Sequence, residues 1–171
     1  MMNETIKLGN LKIDLGDLTE FILKAKKRCY AGNGKEERLS DGSKRLIFQE
    51  RDFFYEDNYR GHYQAPGTEL VRWQKSDGQG LWQMSYSGGM LPEFIGDEKL
   101  AIVTFEFLKK ALSDKDAFLR GPMQFRNDSL SYTNELKGDI KRFKGSEEII
   151  DRDNLDIIFS QDYIGEVIIP K

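Results

Sequence analysis

The sequence predicts an α+β domain: an internally duplicated unit of one helix followed by an antiparallel meander. The two units are expected to sit about a pseudo-twofold, with the helices packed on the antiparallel sheet. Landmarks recur in the chain. Phe48, Tyr55, Gly61, Gly67-Thr-Glu69-Leu-Val71 and Tyr86-Ser-Gly88 are matched by Phe125, Tyr132, Gly138, Gly145-Ser-Glu147-Glu-Ile149 and Tyr163-Ile-Gly165, at an offset of 77 or 78 residues. A period that long marks a half-domain rather than a solenoid repeat. Each copy is a run of short alternating strands joined by turns, and each follows a stretch with helical periodicity. The chain of 171 residues with 12% aromatics can fill one sizeable core. It is therefore expected to be a single domain over 1–171, with repeats at about 17–90 and about 97–169.

In chain order, Ile6, Leu8, Leu11, Ile13 and Leu15 alternate around Gly9-Asn10, which suits a short strand or hairpin. Asp17-Leu-Thr-Glu20 is a capping-box pattern, and Leu18, Phe21, Ile22, Ala25 and Cys29 share one helical face. These predict a first helix from about Leu18 to Tyr30, with the Lys24–Arg28 cations at its favourable C-terminal end and Gly32 as its stop. Residues 32–44 are polar and aperiodic and predict a surface loop. Gly32-Asn-Gly34-Lys35 follows a helix C-terminus, whereas a phosphate cradle needs glycines ahead of a helix N-terminus. Strands are predicted at about 44–50, 53–59, 67–75 and 80–87, with Gly88-Gly89 breaking the meander. Asp97 caps a second helix bearing Leu100, Val103, Thr104, Phe107, Leu108 and Ala111. Strands return at about 123–127, 130–136, 145–151, 155–160 and 163–169.

Composition excludes several classes. Net charge is −3, and no basic run exceeds Lys26-Lys27-Arg28, so a phosphate-binding stripe for direct nucleic-acid binding is absent. There is no long apolar run for a membrane span and no signal-peptide pattern at the start. One cysteine, Cys29, cannot make an intrachain disulfide, and the cytoplasm is the expected compartment. One histidine, His62, has no His/Cys partners at metal-ligand spacing, so neither a metal nor another cofactor is expected. Asp151-Arg-Asp153-Asn-Leu-Asp156 lacks the turn glycine of a calcium loop and reads as a hairpin turn.

The runs Tyr55-Glu-Asp-Asn-Tyr59-Arg-Gly61, Gly67-Thr-Glu69-Leu-Val71 and Trp82-Gln-Met-Ser-Tyr86-Ser-Gly88 resemble a family of prokaryotic domains of unknown function. Phe118-Leu-Arg-Gly-Pro122, Tyr132-Thr-Asn-Glu and Phe143-Lys-Gly145-Ser-Glu147 carry the resemblance into the second half, so it covers about residues 18–165. In that family the domain stands alone or follows a repressor-type helix-turn-helix domain. With little sequence ahead of residue 17, this chain resembles the stand-alone form. The resemblance implies a sensor or interaction module and supplies no catalytic or binding residues.

Residues present in both halves serve what both halves need, which is the fold. Those found in one half mark divergence: Tyr59, His62, Tyr63, Trp73 and Trp82 are matched by Leu136, Asp139, Ile140, Asp151 and Phe159. Strand alternation puts Tyr55, Asp57 and Tyr59 on one face, and Trp82, Met84 and Tyr86 on another. If those faces meet, they either pack the core or wall a carboxylate-tipped concavity for a small, cationic ligand. Glu69 and Glu147 share strand faces with apolar residues, so each is a structural ion-pair member or a ligand-facing carboxylate. The ligand-binding candidates are Tyr59, Glu69, Trp82 and Tyr86; no catalytic residue is assigned.

Two functions stay open. One is a non-enzymatic ligand-binding or regulatory interaction domain that senses a small molecule or meets a protein partner or a second copy of itself. The alternative is an enzyme using Glu69, Asp57 or Glu147 as general acid or base in an aromatic pocket.

Overall fold

The computed structural model describes residues 4–30, 34 and 36–171. The predicted stop at Gly32 and the Gly-rich stretch through Lys35 fall largely outside these. The architecture is mixed α and β, mostly β. A hairpin of β1 (Thr5–Leu8) and β2 (Leu11–Asp14) leads into α1 (Leu15–Tyr30). A two-residue strand β3 (Glu37–Arg38) precedes β4 (Lys44–Glu50), β5 (Phe53–Tyr59), β6 (Gly67–Trp73) and β7 (Gly80–Met90). After a single 3-10 turn (Pro92–Phe94) come α2 (Glu98–Leu112), β8 (Gln124–Arg126), β9 (Leu130–Asp139), β10 (Arg142–Asp151) and β11 (Ile157–Val167). The strands from β3 onward form one antiparallel sheet in the order β3-β4-β5-β6-β7-β11-β10-β9-β8.

The last strand of each half therefore lies at the centre, where Tyr86 is the register partner of Tyr163. Outward from that seam the ladders run in the same register. Gly67 pairs Tyr86 as Gly145 pairs Tyr163. Asp57 pairs Glu69 as Asn134 pairs Glu147, and Tyr55 pairs Val71 as Tyr132 pairs Ile149. Both paired glycines lie against a tyrosine: a Cβ on Gly67 would meet Tyr86 Oη at 2.4 Å, and one on Gly145 would meet Tyr163 Oη at 2.3 Å. Each ring thus occupies the space a side chain would take, and only glycine admits it.

One face of the sheet is covered, in two apolar clusters. Under α1, Leu18, Phe21, Ile22 and Ala25 pack with Tyr55, Val71, Trp82 and Met84. Phe21 meets Phe53 and Phe48 with ring centroids 5.1 and 5.8 Å apart. Leu8 and Ile13 of the hairpin close the same cluster. Under α2, Ala101, Phe107, Leu108 and Ala111 pack with Tyr132, Ile149 and Phe159. On the other face, Gln83 and Ser87 of β7 and Asp162, Ile164 and Glu166 of β11 are exposed.

Element boundaries differ from the sequence expectation at several places: β9 runs on to Asp139 and β10 begins at Arg142, β6 stops at Trp73, the expected loop holds the short β3, and three further differences have a local cause. Helix α1 begins three residues early, because Asp14 rather than Asp17 receives the first-turn amide, Asp17 N donating to Asp14 Oδ1 at 3.0 Å. Asp97 caps α2 as the pattern indicates, accepting from Leu100 N at 3.0 Å. Gly88-Gly89 does not end β7. Both adopt positive φ, 144° and 151°, and a Cβ there would strike the backbone of Ser160 and of Tyr63. The pair lets β7 continue while β11 and the β5–β6 connection press in on either side. The stretches expected as strands at 155–160 and 163–169 are one strand, β11, since Gln161 in the polar middle points inward rather than turning the chain.

Candidate functional site

Where the two covered regions meet, the sheet buries an ionic cluster. Glu69 on β6 and Glu147 on β10 are each fully closed from solvent, and Asp57 on β5 is 1% exposed. Strand alternation puts all three on the helix-covered face with Tyr55, Val71 and Ile149. The cations arrive from elsewhere. Lys26 comes from the inner face of α1, one turn beyond Ile22, and Arg120 from the connection between α2 and β8. Leu119, with φ at 58°, turns that connection so that Arg120 enters the core and the Leu119 carbonyl accepts from Lys26 Nζ.

Arg120 is the hub. Nε and Nη2 donate to Glu147 Oε1 at 3.0 and 2.8 Å, Nη2 to Gln161 Oε1 at 2.6 Å, and Nη1 to Glu69 Oε1 at 3.4 Å. Burial opposes its charge, but Glu147 and its other acidic neighbours outweigh that and hold its pKa well above the ordinary value. Glu147 Oε2 accepts from Tyr132 at 2.6 Å. Lys26 Nζ lies 2.9 Å from Glu69 Oε2, outside hydrogen-bonding angles, so this is a charge contact while the directed bond goes to Leu119. Burial lowers the Lys26 pKa, with Glu69 acting against it.

Asp57 differs from the other two carboxyl groups. Its partners are hydroxyls: Tyr86 donates to Oδ1 at 2.7 Å and Tyr30 to Oδ2 at 2.8 Å. It makes no ion pair among the described residues. Tyr30 Oη also stands 3.2 Å from Glu69 Oε1. A phenol has one hydrogen, so both contacts are satisfied together only when one of the two carboxyl groups carries a proton and donates it to Tyr30. Glu69 is held by Lys26 and Arg120, which leaves Asp57 as the one to carry it. Burial, then the charge of Glu69, raises the Asp57 pKa to about 7.

Asp57 forms part of the floor of a cleft of about 520 Å³ between α1, α2 and the sheet. Tyr86, Arg120 and Gln161 share the floor; Ala101, Ile102, Phe105 and Leu108 of α2 make an apolar wall. Tyr59 lies at the rim, donating to Glu36, with Lys44 Nζ 5.4 Å from its ring centroid. His62 stands at the same rim, 2.9 Å from Glu98 Oε2.

Of the four candidates read from sequence, Tyr59 and Tyr86 line this cleft. Glu69 and Trp82 lie behind it in the closed core, Trp82 stacked on Phe143 at 5.9 Å. The charges of Lys26 and Arg120 hold Glu69 there. Sequence reasoning missed Lys26, Tyr30, Arg120 and Gln161 as members of the site. Lys26 had a signal, since it falls on the apolar face with Ile22 and Cys29; Arg120 in its connection had none. Cys29 is buried, its thiol pushed up to about 12 chiefly by burial, and does not serve as a nucleophile at neutral pH. Among the described residues no group of His, Cys, Asp and Glu converges as a metal site, and no helix is long and apolar enough to cross a membrane.

The fold and site define a mostly β domain with one helix-covered sheet face, in which Asp57 and Arg120 of a buried ionic cluster border a cleft. The chain belongs to the family described as Domain of unknown function (DUF5680), whose model matches residues 57–168. That span contains Asp57, Glu69, Arg120 and Glu147. No curated protein and no solved structure matches the chain.

Proposed function

We propose that this chain is a small-molecule-binding domain of the sensor type, and that its ligand occupies the cleft over Asp57, Tyr86 and the apolar wall of α2. The observation that carries the reading is the contrast between Asp57 and Asn134. Each sits at the same register place in its half, and each accepts from a tyrosine, Tyr86 or Tyr163, at 2.7 Å. In the second half an amide suffices, and its Nδ2 donates to Gly121 O at 3.0 Å, so the connection carrying Arg120 packs over that place. In the first half the corresponding place is an acid beside an open cleft. An acid where an amide serves the fold points to a role beyond the fold.

Internal duplication supports the same reading. Matched landmarks 77 or 78 residues apart, with equal ladder registers, are what two copies of one unit produce. One copy then keeps the buried structural pair, Arg120 with Glu147, while the other acquires a site.

A second reading, general acid–base catalysis, is favoured by the same carboxyl, since a group titrating near 7 at a cleft floor suits proton transfer. Asp57 alone could serve, because Glu69 is sealed behind it.

A fragment screen by two-dimensional amide NMR tests the binding reading. Hits should move Tyr59, His62 and Ile102 together, and Ile102→Trp, at a half-exposed position on the wall, should block them. Hits confined to the groove over Ser85, Lys144 and Asp162 would instead place binding elsewhere.

A further inference from the structure

Counting charges in the cluster shows what the cleft lacks. Glu69 is matched by Lys26 and Arg120, and Glu147 by Arg120. The third carboxyl, Asp57, has two hydroxyl donors and no cation among the described residues. With a proton on Asp57 the cluster is neutral: Lys26 and Arg120 against Glu69 and Glu147. Without it the core holds an uncompensated negative charge, which a low-dielectric interior strongly disfavours. The proton therefore stands in for a cation.

The surroundings fit an organic ammonium in that role. Tyr30, Tyr59 and Tyr86 line the cleft, and two of these rings already meet cations, Arg120 at 4.8 Å from the Tyr86 centroid and Lys44 at 5.4 Å from that of Tyr59. Those two cations have their own carboxylates, Glu147 and Glu69 for Arg120 and Glu36 for Lys44, 3.6 Å away. The hydrocarbon part of a ligand would lie on Ile102, Phe105 and Leu108.

We propose that the cleft binds a small amine as its ammonium cation, and that the bound ammonium replaces the proton on Asp57, completing a third ion pair at the floor. This rests on reading the cleft as a binding site. The charged and titratable groups facing Asp57 are Lys26, Cys29 and Tyr30 from α1, Tyr55 and Tyr59 on its own strand, Glu69 from β6, Tyr86 from β7, and Arg120; across the cleft α2 adds Glu106 and Lys109, both exposed to solvent. Among the buried groups, Asp57 is the carboxyl without a cation, so the exchange falls on it. The raised Asp57 pKa agrees with the hydrogen count at Tyr30.

Benzylamine, benzyl alcohol and benzoate share one ring and differ in charge, and they serve as probes on the whole chain. At pH 6, calorimetry in buffers of different ionisation enthalpy should show benzylamine binding with proton release. It should bind about ten-fold or more tightly than the other two, the worth of a charge-assisted hydrogen bond. Asp57→Asn should abolish that preference, and a urea midpoint no lower than that of the wild type would exclude misfolding as the cause. Benzoate or benzyl alcohol binding as well as the amine, at Tyr59, His62 and Ile102, would overturn the amine class and leave the cleft reading standing. Amine binding without proton release, or unaffected by Asp57→Asn, would remove Asp57 as the anchor. No probe moving those three amides would overturn this inference, and the fragment screen would then decide the cleft reading separately.

Discussion

Lys26 Nζ stands 2.9 Å from Glu69 Oε2 with both side chains closed from water, so each charge depends on the other. Lys26→Met would keep the packing volume and leave Glu69 with Arg120 at 3.4 Å as its remaining cation. Removing one partner of a buried pair costs about 3–5 kcal/mol. Urea unfolding should show that loss with an unchanged slope; a loss under about 1 kcal/mol, the worth of a surface pair, would mean the pair adds little to the fold.

Asp57→Asn should go the other way above neutral pH. The folded chain holds the Asp57 proton up to about pH 7, the unfolded chain only to the ordinary carboxylate range near 4. Between those values the folded state binds more protons, so the wild type loses stability as pH rises through the window. Asparagine cannot ionise and keeps a donor for Tyr30. The variant should draw level at about pH 4, gain steadily to about pH 7, and hold a constant lead above it. A stability difference that stays flat from pH 4 to 8 would mean that Asp57 does not change protonation on folding.

Phe21 is 5% exposed and meets both Phe48 and Phe53, so Phe21→Ala should cost about 3–5 kcal/mol. A loss below about 0.5 kcal/mol in urea unfolding would put that helix face in solvent.

Gly67→Ala would drive a methyl into the Tyr86 hydroxyl and against Tyr59 Cβ. Overpacking of this kind costs about 1–3 kcal/mol, and it should also pull Tyr86 from Asp57. The Tyr86 and Asp57 amide resonances should shift well beyond the site of substitution. Confinement of the shifts to residue 67 and its chain neighbours would show that the ring can yield.

Much of the sheet is legible because its turns and alternation are local. The turn residues Arg51 and Asp52 fix the β4–β5 register, and Asp97 fixes the start of α2. The ionic cluster is legible only in pieces. Glu69 and Glu147 stand out as carboxylates among apolar neighbours, but their partners lie 43 positions earlier and 27 positions earlier in the chain. No spacing rule links such groups. Lys26 hides among the C-terminal cations of α1, where the helix dipole accounts for it without burial. Gln161 hides as a false turn, because a polar residue at an inward position makes sense only once Arg120 is beside it. Trp82 reads as a site residue for want of knowing that Phe143 lies against it.

The seam between β7 and β11 also bears on how the chain is made. The strand that covers the β7 edge, residues 157–167, is the last strand of this sheet to be synthesised. Until then the first half presents an eleven-residue edge of unpaired amides and carbonyls, Gly80 to Met90. Another nascent copy whose 157–167 has already emerged can compete for that edge until the chain's own second half, favoured by its covalent tether, arrives. Slow synthesis or crowding on polysomes lengthens that interval, in which an exchanged strand would set Gln161 of one molecule at the cleft of another.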